Sequence, residues 1–256
     1  MAEVARLAPG IPADYYRRIS LAEQRHWWYR GMREISVALL GDRWGRSGTR
    51  LLDAGCGTGG FARFALDTGG VRTVAGADLA SDAIALAGEL VPEADLHVAA
   101  LDALPFADAG FDIVVCNDVL QHVPQDDVQE SLRELRRVVA PDGAVLLRTN
   151  GSRRLRIERG DWRAYDASTL ETELAAAGLR CERLTYANTV LSLLGAARGS
   201  IPHAPTDERD GIPVAMPPRL KNALGLTVLR AEARYLRRRG SSLPFGHTLF
   251  ALAIRA

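Results

Sequence analysis

Between Arg50 and Asn150, short apolar runs alternate with stretches whose apolar residues recur at helical spacing. The apolar runs, which are candidate strands, cover residues 51–52, 71–77, 96–100, 111–116 and 144–149. The intervening stretches, which are candidate helices, cover residues 61–66, 82–90 and 126–139. Strands that alternate with helices are joined by right-handed crossovers, so they form a parallel sheet with helices on both faces. The pattern therefore predicts an α/β fold.

The chain after Asn150 predicts two more strands. Ser168-x-x-Glu171 is a capping-box signature, which predicts a helix over 168–177. A strand is expected over 180–186, and a final strand over 247–254. Together with the five earlier runs, these strands predict a seven-stranded sheet with an antiparallel edge.

A helical insertion is expected before the last strand, at about residues 200–240. Five prolines between residues 200 and 218 predict mostly irregular chain at its start. Apolar residues at positions 220, 224, 228, 231 and 235 share one face of a helix over 219–239, so that face is expected to pack inward.

The chain before Arg50 is helical and aromatic in pattern over residues 14–44, and glycines break it at 45–48. We expect residues 1–48 to form an N-terminal helical cap or lid. Residues 49–256 then form the main domain.

The apolar runs, the first 30 residues and the cysteines exclude several classes of protein. The apolar runs are far shorter than the roughly 18 to 20 residues of a membrane span, and the first 30 residues lack a secretory signal, so a cytoplasmic protein is expected. Cys56, Cys116 and Cys181 are widely spaced and odd in number, which favours neither a disulfide framework nor a metal cluster.

The net charge of +1 hides an asymmetry, because residues 1–150 carry 15 basic and 21 acidic side chains, whereas residues 151–256 carry 17 and 10. This bias is too mild for a nucleic-acid binder. It favours an anionic small molecule as the partner.

The segment from Leu51 to Gly60 reads LLDAGCGTGG and lies where the first strand turns into the first helix. Gly55, Gly57 and Gly60 satisfy G-x-G-x-x-G, the fingerprint of dinucleotide sites. However, a carboxylate at Asp53 would repel a pyrophosphate by on the order of a few kcal/mol. S-adenosylmethionine carries an ammonium and a sulfonium instead, so an acid at this position favours that ligand over NAD.

Polar residues at the ends of the other strands agree with this interpretation. Asp78 ends the second strand, where it would chelate two ribose hydroxyls, and Leu79 would lie beside the purine. Asp102 follows the third strand and would accept a hydrogen bond from the adenine amino group. Asn117 ends the fourth strand, next to the first, where open α/β sheets bind their ligands.

These motifs together resemble those of the class I S-adenosylmethionine-dependent methyltransferases. The matching segments are the D-x-G-x-G-x-G run from Asp53, Asp78, Asp102-Ala103, the strand 111–117 with residues 119–123 behind it, and the helix and strand over 132–147. The resemblance implies a Rossmann-like sheet of order 3-2-1-4-5-7-6 and S-adenosylmethionine as the cofactor. It also implies a cofactor site formed by Asp53, Gly55, Gly57, Asp78, Leu79, Asp102, Ala103 and Asn117.

Two further residues receive roles from this resemblance. His122 is placed to take a proton from the acceptor, because related enzymes use a base near this position and imidazole titrates near neutral pH. Arg30 or Arg33 would pair with the carboxylate of the cofactor, and Arg30 is the residue that we assign. No metal is implied.

The sequence leaves alternatives open for residues and for function. Each aspartate on its own is equally typical of a helix N-cap, and His122 would then pack at a helix start. The expected reaction is methyl transfer to an oxygen or nitrogen of a small molecule. The alternatives are a C-methyltransferase, a non-methylating S-adenosylmethionine-binding catalyst or module, and an NAD(P)-dependent oxidoreductase. The acceptor and the oligomeric state stay open.

Overall fold

A computed structural model of the chain describes residues 13–69, 71–151, 165–197 and 215–256. The described residues form one seven-stranded sheet in the order β3-β2-β1-β4-β5-β7-β6, which confirms the expected α/β fold and strand order. The strands are β1 Thr49–Ala54, β2 Val71–Asp78, β3 Asp95–Val98, β4 Phe111–Asn117, β5 Val139–Asn150, β6 Leu179–Ala187 and β7 Thr248–Arg255.

The last strand, β7, is the one that runs against its neighbours. It pairs antiparallel with both β5 and β6, whereas the pairs among β1 to β5 are parallel. The expected antiparallel pairing at this edge is confirmed, with the reversed strand β7 one place in from the edge strand β6. Leu249, Phe250 and Leu252 of β7 are fully or almost fully buried, which suits a strand with a partner on each side.

Helices cover both faces of the sheet. They are α1 Ala13–Arg25, α2 Trp27–Leu40, α3 Gly60–Asp67, α4 Ser81–Leu90, α5 Val128–Val138, α6 Ala167–Ala176, α7 Thr189–Ala197 and α8 Arg219–Leu236. One core cluster includes the inner faces of α5 and α6, and a second includes those of α2, α3 and α8. None of the described helices is long and apolar enough to cross a membrane.

The start of α6 and the buried face of α8 differ from expectation. Asp166, not Ser168, caps α6, since its carboxylate accepts from the Thr169 N–H at 2.8 Å. On α8 the expected face is wrong, because Leu220 is 82% exposed and Leu224 is 62% exposed. The face containing Gly225, Leu226 and Leu229 is buried instead.

Close helix packing explains the orientation of α8. A Cβ at Gly31 of α2 would overlap the Leu229 side chain, and a Cβ at Gly225 would lie 2.6 Å from the Trp27 ring. Glycine at both positions lets α2 and α8 approach each other closely. The helix–helix contact therefore determines which face of α8 turns inward.

The segment before β1 forms two helices rather than one continuous helix. They meet at His26, whose Nδ1 accepts from the Trp28 N–H at 3.1 Å and so caps α2. Residues 1–12 of the expected cap and residues 200–214 of the expected insertion lie outside the described residues. The division of the chain at residue 48 stays a prediction.

Candidate functional site

The glycine-rich segment forms a tight loop between β1 and α3. Gly55, Gly57 and Gly59 have φ angles of 83°, 51° and 81°, which residues other than glycine rarely adopt. A Cβ at Gly55 would overlap the Val119 side chain, whereas a Cβ at Gly57 would meet no atom of the described residues within 4 Å. The surface above Gly57 is therefore open for a ligand to approach the backbone.

Asp78, at the end of β2, holds this loop in place. Its carboxylate accepts from the Gly57 N–H at 2.8 Å and from the Ala80 N–H at 2.9 Å. Burial raises the pKa of this carboxyl, against the effect of those backbone donors. Each carboxylate oxygen has a second lone pair, so Asp78 retains acceptor capacity for a ligand hydroxyl. The neighbouring Leu79 is 46% exposed and offers an apolar surface.

Asp53 ends β1 as a buried carboxylate with a second carboxylate beside it. Burial raises the pKa of Asp53 well above its ordinary value, and the negative charge of Glu23 raises it further. Glu23 comes from α1, and its Oε2 accepts from the Thr58 hydroxyl at 2.6 Å. It also accepts from the Gly60 N–H. The first helix thus places an acid directly on the glycine loop, which the sequence did not predict.

Arg33 of α2 lies beside the same loop. Its Nη2 is 2.6 Å from the position that a Cβ on Gly60 would take, and its guanidinium lies 5.7 Å from the centre of the Phe64 ring. Burial lowers the pKa of Arg33, whereas the Glu23 carboxylate raises it. Arg30 is half-buried, and its side chain makes no hydrogen bond or ion pair within the described part of the chain. Arg33 is therefore the arginine placed at the glycine loop.

A second buried cation, Arg148 of β5, lies next to the end of β4. Its guanidinium binds the Asp118 carboxylate at 2.6 and 3.0 Å and lies 5.0 Å from the Trp28 ring centre. Asp118 follows Asn117 with a φ of 58°, a left-handed conformation that aspartate adopts more readily than most residues other than glycine. In this conformation its carboxylate faces Arg148.

The charges around the glycine loop do not cancel. Three carboxylates lie at or beside it with two guanidinium groups among them, and a fourth carboxylate pairs with one of those guanidinium groups after β4; the six residues are Glu23, Asp53, Asp78, Asp118, Arg33 and Arg148. Fully ionised, the cluster has an excess of two negative charges. In a buried setting such an excess is unfavourable unless a cation accompanies it. The chemistry of this donor set fits a ligand with positive charge.

Two buried polar side chains at the site lack partners among the described residues. Neither the amide nitrogen nor the amide oxygen of Asn117 has a hydrogen-bond partner, and the Tyr29 hydroxyl also has none. Burial raises the pKa of Tyr29, and the nearby Glu23 carboxylate raises it further. An unpaired buried polar group costs about 1 to 3 kcal/mol. These atoms are therefore available to hydrogen-bond a ligand at the ends of β1 and β4.

The other predicted residues lie around this centre. Asp102 and Ala103 occupy the turn after β3, where the Ala103 N–H donates to the Ala100 carbonyl at 3.2 Å; Asp102 is half-buried and Ala103 is exposed. His122 is exposed and ends a short 3-10 turn, Leu120–His122, in which its N–H donates to the Val119 carbonyl at 2.8 Å. The proposed roles of these three residues stay predictions.

Comparison with known proteins identifies relatives of this architecture. A family model described as "Methyltransferase domain" matches residues 52–147. The malonyl-[acyl-carrier protein] O-methyltransferase of Serratia marcescens is 30% identical over 181 residues, which cover 65% of this chain and 69% of that protein. The enzyme of the same name from Enterobacter lignolyticus is 36% identical over 135 residues, and the match spans about half of its length, 52%.

A solved structure shows the same fold at low sequence identity. Phosphoethanolamine N-methyltransferase 2 of Haemonchus contortus, in complex with S-adenosyl-L-methionine, superposes with a TM-score of 0.63 at 17% identity. The superposition covers 97% of this chain and 58% of that one.

Proposed function

Since this chain belongs to the class I S-adenosylmethionine-dependent methyltransferases, we propose that it transfers a methyl group to an oxygen or nitrogen of a small-molecule acceptor. Its cofactor, S-adenosylmethionine, supplies an electrophilic methyl group on a sulfonium when bound. The observation that carries the proposal is the buried negative excess at the glycine loop, with the unpartnered Asn117 amide beside it.

The residues at the ends of β1 and β4 would hold the methionine half of the cofactor. Asp53 would attract the ammonium, and Gly55 and Gly57 leave the backbone accessible to the ligand. Arg33, which lies on the glycine loop, would pair with the carboxylate in place of Arg30. The amide of Asn117 would line the region of the transferred methyl group.

The residues after β2 and β3 would hold the adenosine half. Asp78 would accept from the ribose hydroxyls, and the exposed Leu79 would cover one face of the purine. Asp102 would accept from the adenine amino group, with Ala103 beside it in the same turn. Asp78 ends β2, which neighbours β1, and Asp102 follows β3, which neighbours β2, so both aspartates lie at the same carboxyl ends of the parallel strands as Asp53.

The remaining work of the protein is to exclude water, orient the nucleophile and accept one proton. Trp28 stacks over Arg148 beside the end of β4, and Trp27 packs between α2 and α8, so α2 shields this edge of the sheet. We assign the proton to a ring nitrogen of His122, since imidazole is a common general base. Alignment of the two reacting groups would supply much of the rate enhancement.

The names of the two relatives favour oxygen as the methylated atom. The excess of basic side chains in residues 151–256, 17 against 10 acidic, favours an anionic acceptor.

Mass spectrometry of an incubation with isotopically labelled S-adenosylmethionine and candidate acceptors tests the proposal. We expect a carboxylic-acid acceptor to gain the mass of one labelled methyl group. The same acceptors should gain nothing when Asp53→Asn protein replaces the wild type. Tight binding of NADH with none of S-adenosylmethionine would contradict the proposal, as would cofactor binding without methyl transfer to any of the oxygen or nitrogen acceptors.

A further inference from the structure

A wide cleft of about 920 Å³ opens at the end of the sheet opposite the glycine loop. It lies between the last turns of α2 and α8 and the first residues of β6, with Leu252 of β7 on its wall. The strands β5 and β6 begin at this end, whereas the glycine loop follows the end of β1. The cleft is therefore distinct from the proposed methyl-transfer site.

Arginine dominates the lining of this cleft. Six arginines and three acids line it; the arginines are Arg43, Arg46, Arg180, Arg183, Arg237 and Arg239, and the acids are Asp42, Asp142 and Glu182. A volume of this size is ordinary for a small-molecule site. The planar guanidinium group binds phosphate oxygens through paired hydrogen bonds, which makes clustered arginines typical of phosphate recognition.

The acids neutralise only part of this charge. Arg43 holds Glu182 at 2.9 Å, so Arg180 reaches the same carboxylate only at 3.7 Å. Arg239 pairs with Asp42 at 2.7 Å, but their side chains are 93% and 76% exposed, and such pairs contribute little. An incoming anion can therefore recruit both Arg180 and Arg239.

Two further arginines donate hydrogen bonds to carbonyls at or just after the helix ends. The carboxyl ends of helices carry partial negative charge, which on its own would oppose an anion. Arg183 donates to the Leu236 and Ser241 carbonyls at 2.7 and 3.1 Å, and Arg46 donates to the Asp42 carbonyl at 2.8 Å. These contacts offset the helix-end charge at the cleft.

Three arginines of the cleft, Arg46, Arg183 and Arg237, have no carboxylate partner within the described part of the chain. Arg183 is half-buried with carbonyls but no carboxylate as partners, and burial lowers the pKa of its guanidinium. The Arg237 side chain makes no hydrogen bond or ion pair within the described part of the chain. We propose that this arginine-lined cleft binds a small phosphate-bearing anion.

Calorimetric titration at low ionic strength tests the proposal, with S-adenosylhomocysteine saturating the cofactor site. The probes are pyrophosphate, inorganic triphosphate and ATP. We expect saturable binding of at least one probe, and Arg180→Ala and Arg237→Ala should each weaken it by about tenfold to hundredfold. Both side chains are on the surface, so neither substitution should prevent folding. Tighter binding of ATP than of triphosphate would identify a nucleotide, and equal binding a phosphate group alone.

Arg238→Ala is the matched control. Arg238 neighbours Arg237 and is exposed, but it does not line the cleft. The Arg238→Ala protein should therefore bind the probes as the wild type does. The proposal is overturned if no probe binds saturably at millimolar concentration, or if Arg238→Ala weakens binding as much as Arg237→Ala, since that would indicate general charge attraction only.

Discussion

Gly57→Ala separates the folding role of the glycine loop from its binding role. Gly57 has a φ of 51°, and a Cβ there would meet no atom within 4 Å. The left-handed conformation costs alanine about 1 to 2 kcal/mol. For a domain of this size, that loss lowers the melting temperature by roughly 2 to 8 °C. Because the new methyl group would occupy the surface that we assign to the cofactor, overpacking of about 1 to 3 kcal/mol should weaken binding roughly fivefold to 150-fold.

Gly69→Ala supplies the matched control for this experiment. Gly69 follows α3 with a φ of 73°, and a Cβ there would also meet no atom within 4 Å. Thermal unfolding should show a similar loss of stability for both variants. Calorimetry with S-adenosylmethionine should show weaker binding for Gly57→Ala alone. If Gly57→Ala binds the cofactor as tightly as Gly69→Ala does, then the space above Gly57 is not the cofactor site.

Three other substitutions test separate parts of the site and fold. Asp53→Asn should raise the free energy of unfolding of the cofactor-free protein at any pH where Asp53 is ionised, and it should weaken cofactor binding, as urea denaturation and calorimetry would measure. His122→Ala should lower the methylation rate by roughly a hundredfold with cofactor affinity intact; equal losses in binding and turnover would assign His122 a structural role. Gly225→Ala should destabilise the fold by about 1 to 3 kcal/mol, since its Cβ would lie 2.6 Å from the Trp27 ring, and an unchanged melting temperature would contradict that packing.

Local sequence patterns predict the strands themselves well, the last two included, but they do not determine the place of the last strand in the sheet. Strands β1, β2, β4 and β5 are apolar runs flanked by helical stretches, so each strand carries its own signal. The position of β7 between β5 and β6 depends on pairing with strands remote in sequence. The orientation of α8 depends on Gly31 and Gly225, and its apolar periodicity alone favoured the wrong face.

The same distinction applies to the candidate site. Asp53, Gly55 and Gly57 are contiguous in one loop and were predicted from it, whereas Glu23 and Arg148 reach that loop from α1 and β5. Isolated charged residues on a helix and a strand have no local pattern that distinguishes them from surface residues. The sequence offered both Arg30 and Arg33 as partners of the cofactor carboxylate. The fold places Arg33 at the glycine loop, because α2 turns Arg33 toward Gly60.

When ionised and without a ligand, the buried acids of the cofactor site lower the free energy of unfolding. Burial raises the pKa of Asp53 and, despite the nearby arginines, that of Glu23. A carboxyl with a raised folded-state pKa contributes stability below its unfolded pKa and loses that contribution as the pH rises through the folded value. Ionisation of the two carboxyls therefore opposes folding, and a bound cation offsets that cost. Cofactor binding should then release protons over the pH range in which these carboxyls titrate in the free protein, and affinity should rise with pH across that range. Asp53→Asn removes one of these charges, which is why it should stabilise the free protein while weakening the complex.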